Sequence, residues 1–317
     1  MKIILARFVQ LFTCFALAFV CLSNGADSAG SAYQAENPDK VLLSAAVVSD
    51  LHAADELKRD RNIILSKTFA GIAKSKTKPD ALVMPGDLTN NGTRDEFRCL
   101  SAIIRRYNRS AAVIPATGNH DARGDMHKED YAQSLGYYLT FCRLLGAETD
   151  RPYWFTKVNG YYFIVLGSEA EVKDRAYISD RQLLWLDGRL SAAETTGKPA
   201  FVICHQVIDH TNNVDNEWYF DGSIGEQSDA VRDVIRKHTD RGMTVLFISG
   251  HLHVPFCDFS LEQPWENLYC LNLPSAQYTN GGGEGCMLEV YEDRMLIRPR
   301  NFITGEWLPQ TWTVPLG

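Results

Sequence analysis

The sequence predicts an α/β domain with a β-rich C-terminal end, and three observations carry that expectation. Short, nearly continuous apolar runs alternate with stretches of helical spacing from Val41 to Ile248. Two S/T-x-x-E/Q sequences, Thr93 to Glu96 and Ser179 to Gln182, read as capping boxes that open helices. Beyond His253 the helical spacing stops and turn-separated strand patterns replace it.

Val41 to Val48 is apolar almost throughout, as a strand covered on both faces requires. Glu56 to Lys76 follows with helical spacing through Leu57, Ile64, Leu65, Phe69 and Ile72. Ala81 to Met84 is a second buried strand, and the helix after Thr93 sets Phe97, Leu100, Ile103 and Ile104 on its inner side. Ala111 to Pro115 is a third strand, followed by a less regular stretch over 122–152. Tyr161 to Leu166 is the next strand, and the helix after Ser179 carries Leu183, Leu184, Leu186 and Leu190. Ala200 to Cys204 reads as a strand, Asp229 to His238 as a helix and Val245 to Ile248 as a strand. Tyr269 to Leu273, Cys286 to Tyr291 and Met295 to Arg298 have the pattern of antiparallel strands, with turns at Gly281-Gly282-Gly283 and Glu292-Asp293.

At 317 residues, 45% hydrophobic and 22% charged, the chain can bury one large core or two modest ones, and disordered or fibrous classes are excluded. Residues 1–25 read as a secretory signal peptide: Lys2 and Arg7 precede the apolar run Phe8 to Leu22, and small or polar residues follow. An uncleaved N-terminal anchor is the alternative; no transmembrane segment is expected in the mature chain. Residues 26–40 read as a linker or a disordered mature N-terminus, and 41–317 as the folded domain. Loss of Lys2 and Arg7 leaves 30 basic against 39 acidic residues, a formal charge of −9. That balance gives no electrostatic footprint for nucleic acid. Six cysteines remain, Cys99, Cys142, Cys204, Cys257, Cys270 and Cys286, with no CxxC pair that would suggest a zinc ribbon. Cys257 and Cys270 are placed to close a loop, whereas Cys204 lies in an apolar run and reads as a buried small hydrophobe.

Five of the eight histidines fall in five short segments, each just after an apolar run. The segments are Asp50-Leu51-His52, Gly86-Asp87, Gly118-Asn119-His120-Asp121, His205 and Gly250-His251-Leu252-His253. In open α/β sheets, ligands collect beyond the carboxyl ends of strands, so segments remote in sequence can meet there. Asp50, His52, Asp87, Asn119, His205, His251 and His253 make a mixed nitrogen and oxygen donor set that suits Zn²⁺, Mn²⁺ or iron. Seven donors are too many for one tetrahedral ion; shared between two ions, they leave positions for water and substrate. Gly86, Gly118 and Gly250 each precede a donor, where the chain must leave a strand sharply. Among the remaining candidates, Asn90 and Asn91 read equally as substrate contacts or as an ordinary turn before Gly92. Trp218, Tyr219 and Phe220 read as packing residues before a substrate wall, and His127, His210 and His238 as solvated or capping residues. His238 is also placed to meet a helix dipole. Asn91-Gly92-Thr93 and Asn108-Arg109-Ser110 fit glycosylation acceptors, should the chain be eukaryotic.

The order D-x-H, G-D, G-N-H-D, H, G-H-x-H resembles the calcineurin-like metallophosphoesterase superfamily from about Val41 to His253. The resemblance implies a two-sheet, four-layer α/β sandwich and a dinuclear centre that hydrolyses a small phosphate ester. It implies that Asp50, His52, Asp87 and His253 hold one ion, that Asp87 bridges to a second held with Asn119, His205 and His251, and that His120 is the catalytic histidine. In that scheme water activated by both ions attacks phosphorus in line, and His120 donates to the leaving oxygen with Asp121 orienting or charging it. Asp50-Leu51-His52 differs from the D-x-G start of purple acid phosphatases, and Gly86-Asp87-Leu88-Thr89-Asn90 lacks the V-D-R-G of protein Ser/Thr phosphatases. The motifs are most similar to the branch of cyclic-nucleotide and glycerophosphodiester phosphodiesterases. That branch often reads H-H-P at its fourth motif where this chain reads Cys204-His205-Gln206. A phosphomonoesterase with the same centre, and a non-catalytic exported metal-binding protein, are the alternatives.

Overall fold

A computed structural model describes residues 31–122, 130–212 and 222–317. The signal-peptide reading, His127 and the Trp218-Tyr219-Phe220 run lie outside the described residues. The strands are β1 (Leu43–Val47), β2 (Ala81–Met84), β3 (Ala112–Pro115), β4 (Trp154–Val158), β5 (Tyr161–Val165), β6 (Ala200–Ile203) and β7 (Val245–Ser249). They continue with β8 (Leu261–Trp265), β9 (Leu268–Asn272), β10 (Glu284–Val290), β11 (Arg294–Asn301), β12 (Glu306–Trp307) and β13 (Trp312–Pro315). The helices are α1 (Asp60–Ala73), α2 (Arg94–Tyr107), α3 (Asn119–Ala122), α4 (Tyr131–Leu144), α5 (Asp180–Glu194) and α6 (Ser228–Thr239).

Two mixed sheets form the expected α/β sandwich. One runs β12-β11-β10-β1-β2-β3, with β13 also on β11; the other runs β4-β5-β6-β7-β9-β8. The alternation of side chains along each strand divides the second sheet between two cores. Phe163, Val165, Phe201, Ile203, Leu246 and Ile248 join the first sheet and α1, α2 and α4 in one large core. Their neighbours Tyr162, Ile164, Val202, Val245 and Phe247 pack instead with Leu186 and Leu190 of α5 and Val231 and Ile235 of α6. Apolar runs without alternation were therefore the correct sign of strands buried on both faces.

The helix starts differ from expectation at α1, which begins at Asp60 and leaves Leu57 exposed outside it, and at α5. Thr93 and Glu96 form the full reciprocal box at α2. At α5 only half forms: Ser179 accepts from the Gln182 backbone, while the Gln182 side chain donates to the Gly167 carbonyl and to Glu169. Two elements inside or beside the irregular 122–152 stretch were not expected, α4 and β4, and β4 forms a hairpin with the expected strand β5. Asn159 (φ 52°) and Gly160 (φ 82°) make the hairpin turn, because both positions need the left-handed conformation that Asn-Gly adopts readily.

The C-terminal strands do not form a separate antiparallel unit. β9 lies parallel to β7 and antiparallel to β8, in the second sheet, while β10 pairs antiparallel with β1 in the first. Residues 31–39, within the stretch read as a linker, pack on the first sheet: Tyr33 is buried, its hydroxyl donates to Glu289, and the Glu36 and Asn37 amides donate to Glu289 and Tyr291. Among the described residues the six cysteines are free thiols, including Cys257 and Cys270. Burial pushes Cys204 up to about 12, in keeping with its reading as an inert core residue. His238, read as a solvated or capping residue, does lie in the last turn of its helix but is fully buried, with Nδ1 3.0 Å from Glu194 and Nε2 2.9 Å from Asp187. It ties the end of α6 to α5. His210 is exposed.

Candidate metal centre

Each of the five motifs leaves the C-terminal end of a strand in a parallel run: β1, β2 and β3 in one sheet, β6 and β7 in the other. The two sheet edges face each other there, so donors from both converge. Asp50, His52, Asp87 and His253 each bring one ligand atom to a group in which all lie within 4.8 Å of one another. Asp87, His205 and His251 form a second such group. Asp87 belongs to both.

Within the first group His253 Nε2 is 2.9 Å from Asp50 Oδ1 and 3.2 Å from His52 Nε2. In the second, His205 Nε2 is 3.3 Å from Asp87 Oδ2 and 3.2 Å from His251 Nδ1. His205 Nδ1 lies 2.9 Å from the Pro85 carbonyl and must donate to it, so Nε2 of the neutral ring carries its lone pair into the cluster. Asn119 donates from Nδ2 to Asp174 (3.3 Å), while its Oδ1 is buried with no hydrogen-bond partner. Imidazole nitrogens crowded together, a buried amide oxygen left unmatched and two buried carboxylates that face imidazoles with no Lys or Arg beside them are what a pair of cations would satisfy. The donor set fits them.

The backbone is unusual at the donors themselves. Asp50 (φ 53°), His52 (42°), Asp87 (46°), His251 (73°) and His253 (54°) all occupy the left-handed region. Non-glycine residues there are uncommon, and such strain gathers where surrounding structure over-determines a functional geometry. Gly86 (φ 96°) takes the sharp-turn backbone expected of it, whereas Gly118 and Gly250 do a different job. A Cβ on Gly118 would sit 2.1 Å from Asp87 Oδ1, and one on Gly250 would sit 2.0 Å from Ser49 Oγ and 2.3 Å from Asp50 Oδ2. Close approach to the carboxylates, more than backbone freedom, excludes a side chain at these two positions.

Electrostatics follow from burial against charge. Burial opposes ionisation of Asp50, but the His253 and His205 imidazoles outweigh it and bring the carboxyl down to about 2. Burial likewise opposes the charge on Asp87, and His205, His120 and His52 hold it well below the usual carboxylate range. Burial, helped by the neighbouring His120 and His253, takes His52 down to about 4 against the pull of Asp87 and Asp50. For His205 burial is overcome by Asp87 and Asp50, which push the imidazole up to about 9.

His120 stands at the rim, its side chain 27% exposed, with Nδ1 2.7 Å from the Asn90 carbonyl and Nε2 3.9 Å from Asp87 Oδ2. Asp121 does not orient that ring. Its carboxylate accepts from the amides of Leu88 (3.0 Å), Thr89 (2.9 Å) and Gly118 (2.9 Å) and from the Thr89 hydroxyl (2.6 Å). It ties the second motif loop to the third. Burial first, then the nearby Asp87 charge, pushes it up to about 6. Gln206, where the branch pattern has proline, is buried and donates to the Asp174 and Arg175 carbonyls (3.2 and 3.1 Å), which pins the loop bearing the Asn119 partner. Asn90 and Asn91 are hydrogen-bonded into this rim. Arg61 and Tyr278 also reach it, and no sequence motif marked either of them.

A two-sheet α/β sandwich with two donor groups sharing one aspartate defines a dinuclear metallohydrolase. The chain belongs to the calcineurin-like phosphoesterase family, whose model matches residues 43–255. It is similar to a Rhodococcus erythropolis protein named "Probable cyclic nucleotide phosphodiesterase", 28% identical over 75% of each chain. It is also similar to an Arcobacter nitrofigilis "Probable glycerophosphodiester phosphodiesterase", 26% identical over 45% of this chain and 50% of that one. The matches thus span three quarters of the first relative and half of the second. In fold it is similar to a dimetal phosphatase from Danio rerio, with a TM-score of 0.60 and 16% identity over 87% of this chain and all of that one. The protein is a metal-dependent phosphoester hydrolase that uses two divalent cations.

Proposed function

We propose that this hydrolase is a phosphodiesterase acting on a small organic diester. Asp50, His52, Asp87 and His253 would hold one cation, and Asp87, Asn119, His205 and His251 the other. One observation carries the assignment: Asp87 contributes to both donor groups. When bound, the two cations supply an activated water and neutralise charge on the phosphoryl oxygens.

The chain's own residues do the rest. Nδ1 of His120 donates to the Asn90 carbonyl, so Nε2 is the nitrogen that faces the departing alkoxide oxygen, and the imidazolium form gives it the Nε2 proton and becomes the neutral ring. Asp121 positions the loops that carry Asp87 and Asn119 and is not part of the proton path. The relatives' names support the diester preference. Metal-free protein reconstituted with Mn²⁺, Zn²⁺ or Fe²⁺ should turn over bis-p-nitrophenyl phosphate faster than p-nitrophenyl phosphate. The reverse order would make it a phosphomonoesterase, and metal uptake without turnover a non-catalytic binder. A panel of cyclic nucleotides and glycerophosphodiesters would then identify the substrate class. We also propose that the chain is exported, from the Lys2/Arg7 n-region and the apolar run to Leu22. N-terminal sequencing of the mature protein should begin near residue 26; an intact Met1 would refute cleavage. Among the described residues no helix is long and apolar enough to cross a membrane.

A further inference from the structure

We infer that Arg61 and Tyr278 form the subsite for the leaving alcohol and select leaving groups with a planar body that carries an anionic acceptor. The inference rests on the phosphodiesterase reading in one respect, that His120 donates to the leaving oxygen. Whatever is attached to that oxygen must lie beside His120, and the side chains there are partly exposed.

Two separate chains of contact join Arg61 to the centre. Its Nη1 donates to Asn90 Oδ1, and the carbonyl of the same Asn90 holds His120 Nδ1 at 2.7 Å. Its guanidinium carbon also lies 5.5 Å from the centroid of the Tyr278 ring. That ring packs 5.1 Å from His52 and 5.6 Å from His253, and His52 in turn meets His120 edge-on at 4.7 Å. His120 and Tyr278 therefore flank the same imidazole. An alcohol whose oxygen meets His120 Nε2 extends toward the tyrosine face and into reach of the arginine.

Both side chains are held in place while leaving groups to spare. The Tyr278 amide donates to Ser275 Oγ (3.1 Å), whose hydroxyl donates to the Asp50 carbonyl (2.9 Å), yet the residue is 48% exposed. Asn90 is fixed through Asn91 to the α2 capping glutamate Glu96. A guanidinium has five N–H donors, and Arg61 spends one on Asn90. Among the described residues no carboxylate pairs with it, although the chain carries 39 acidic residues. An unpaired cation beside a centre built for two dications raises the energy of the free protein, and an anionic ligand offsets that repulsion. The exposed aromatic face supplies a stacking surface for a planar group.

The test holds the phosphoryl half constant and varies the leaving group: phenyl methyl phosphate against 4-carboxyphenyl methyl phosphate. Wild-type protein loaded with Mn²⁺ should favour the carboxyphenyl ester by about ten-fold in kcat/KM, the scale of one charge-assisted hydrogen bond. Arg61→Met should bring that ratio to about one, and Tyr278→Leu should raise KM for both aryl esters. Independently, calorimetry on Mn²⁺-loaded wild-type protein should show 4-hydroxybenzoate binding more tightly than phenol, a preference that Arg61→Met should lose. An unchanged ratio in Arg61→Met, or equal binding of the two phenols to wild type, overturns the subsite. If wild type binds 4-hydroxybenzoate preferentially but hydrolyses no ester with any metal, the subsite stands and the phosphodiesterase reading fails.

Discussion

The backbone amide of His251 donates to both carboxylate oxygens of Asp50, at 3.2 and 3.1 Å, across 201 residues of sequence. One donor-bearing loop is thereby built on another. The same interlocking recurs where the His120 amide donates to Asp87 Oδ1 (2.9 Å) and where Asp121 gathers the amides of Leu88, Thr89 and Gly118. Asp50, Asp87 and Asp121 each accept at least one backbone hydrogen bond from another motif loop, so the loops fix one another's carboxylates. That preorganisation makes single substitutions informative.

Asp87→Asn should empty both sites, since Asp87 is the donor common to the two groups. Elemental analysis should show loss of both ions, and turnover should fall by roughly 10³-fold or more, because cation stabilisation of the transition state is worth several kcal/mol. Retention of two ions per chain would remove Asp87 from the bridging role.

His120→Ala touches no donor atom and should leave metal content intact. Its kcat should fall by about 10²- to 10⁴-fold on alkyl esters, the range of general acid catalysis, and by less on p-nitrophenyl esters, whose leaving group needs no proton. Equal losses on both ester types would show that His120 acts on binding or charge and not as the acid.

Gly118→Ala places a Cβ 2.1 Å from Asp87 Oδ1 in a fully buried setting. Overpacking of that kind costs about 1–3 kcal/mol, read as a lower denaturation midpoint, and Asp87 must shift, so metal affinity should fall as well. A variant with normal stability and normal metal content would mean the loop yields freely.

Metal uptake should depend on pH with a definite sign. In the metal-free protein Asp87 and Asp50 overcome burial to push His205 up to about 9, so at pH 7 its Nε2 carries a proton that a cation must displace. Apparent affinity should therefore rise as pH climbs toward 9, with a proton released on binding. Calorimetry at pH 7 in buffers of different ionisation enthalpy measures that release, and buffer-independent heats would contradict it.

His238 shows why residue type alone was not enough. In sequence it is one more histidine near a helix end, yet α5 folds across it and brings Asp187 and Glu194 to its two nitrogens. The half-formed box at Ser179 has the same origin: Gln182 is drawn from the local pattern by the buried Gly167 backbone.

What the sequence determined by itself was the alternation of strand and helix and the placing of the Asp and His motif residues at strand ends. Both are local properties: an apolar run codes a buried strand, and the residues that follow it must lie at the strand's end. Tertiary structure alone decided that β9 runs parallel to β7, that β10 pairs with β1, and that Arg61 and Tyr278 stand at the same rim. Strand pairing and rim contacts depend on which distant segment supplies the partner, and the spacing of residues along the chain carries no record of that choice.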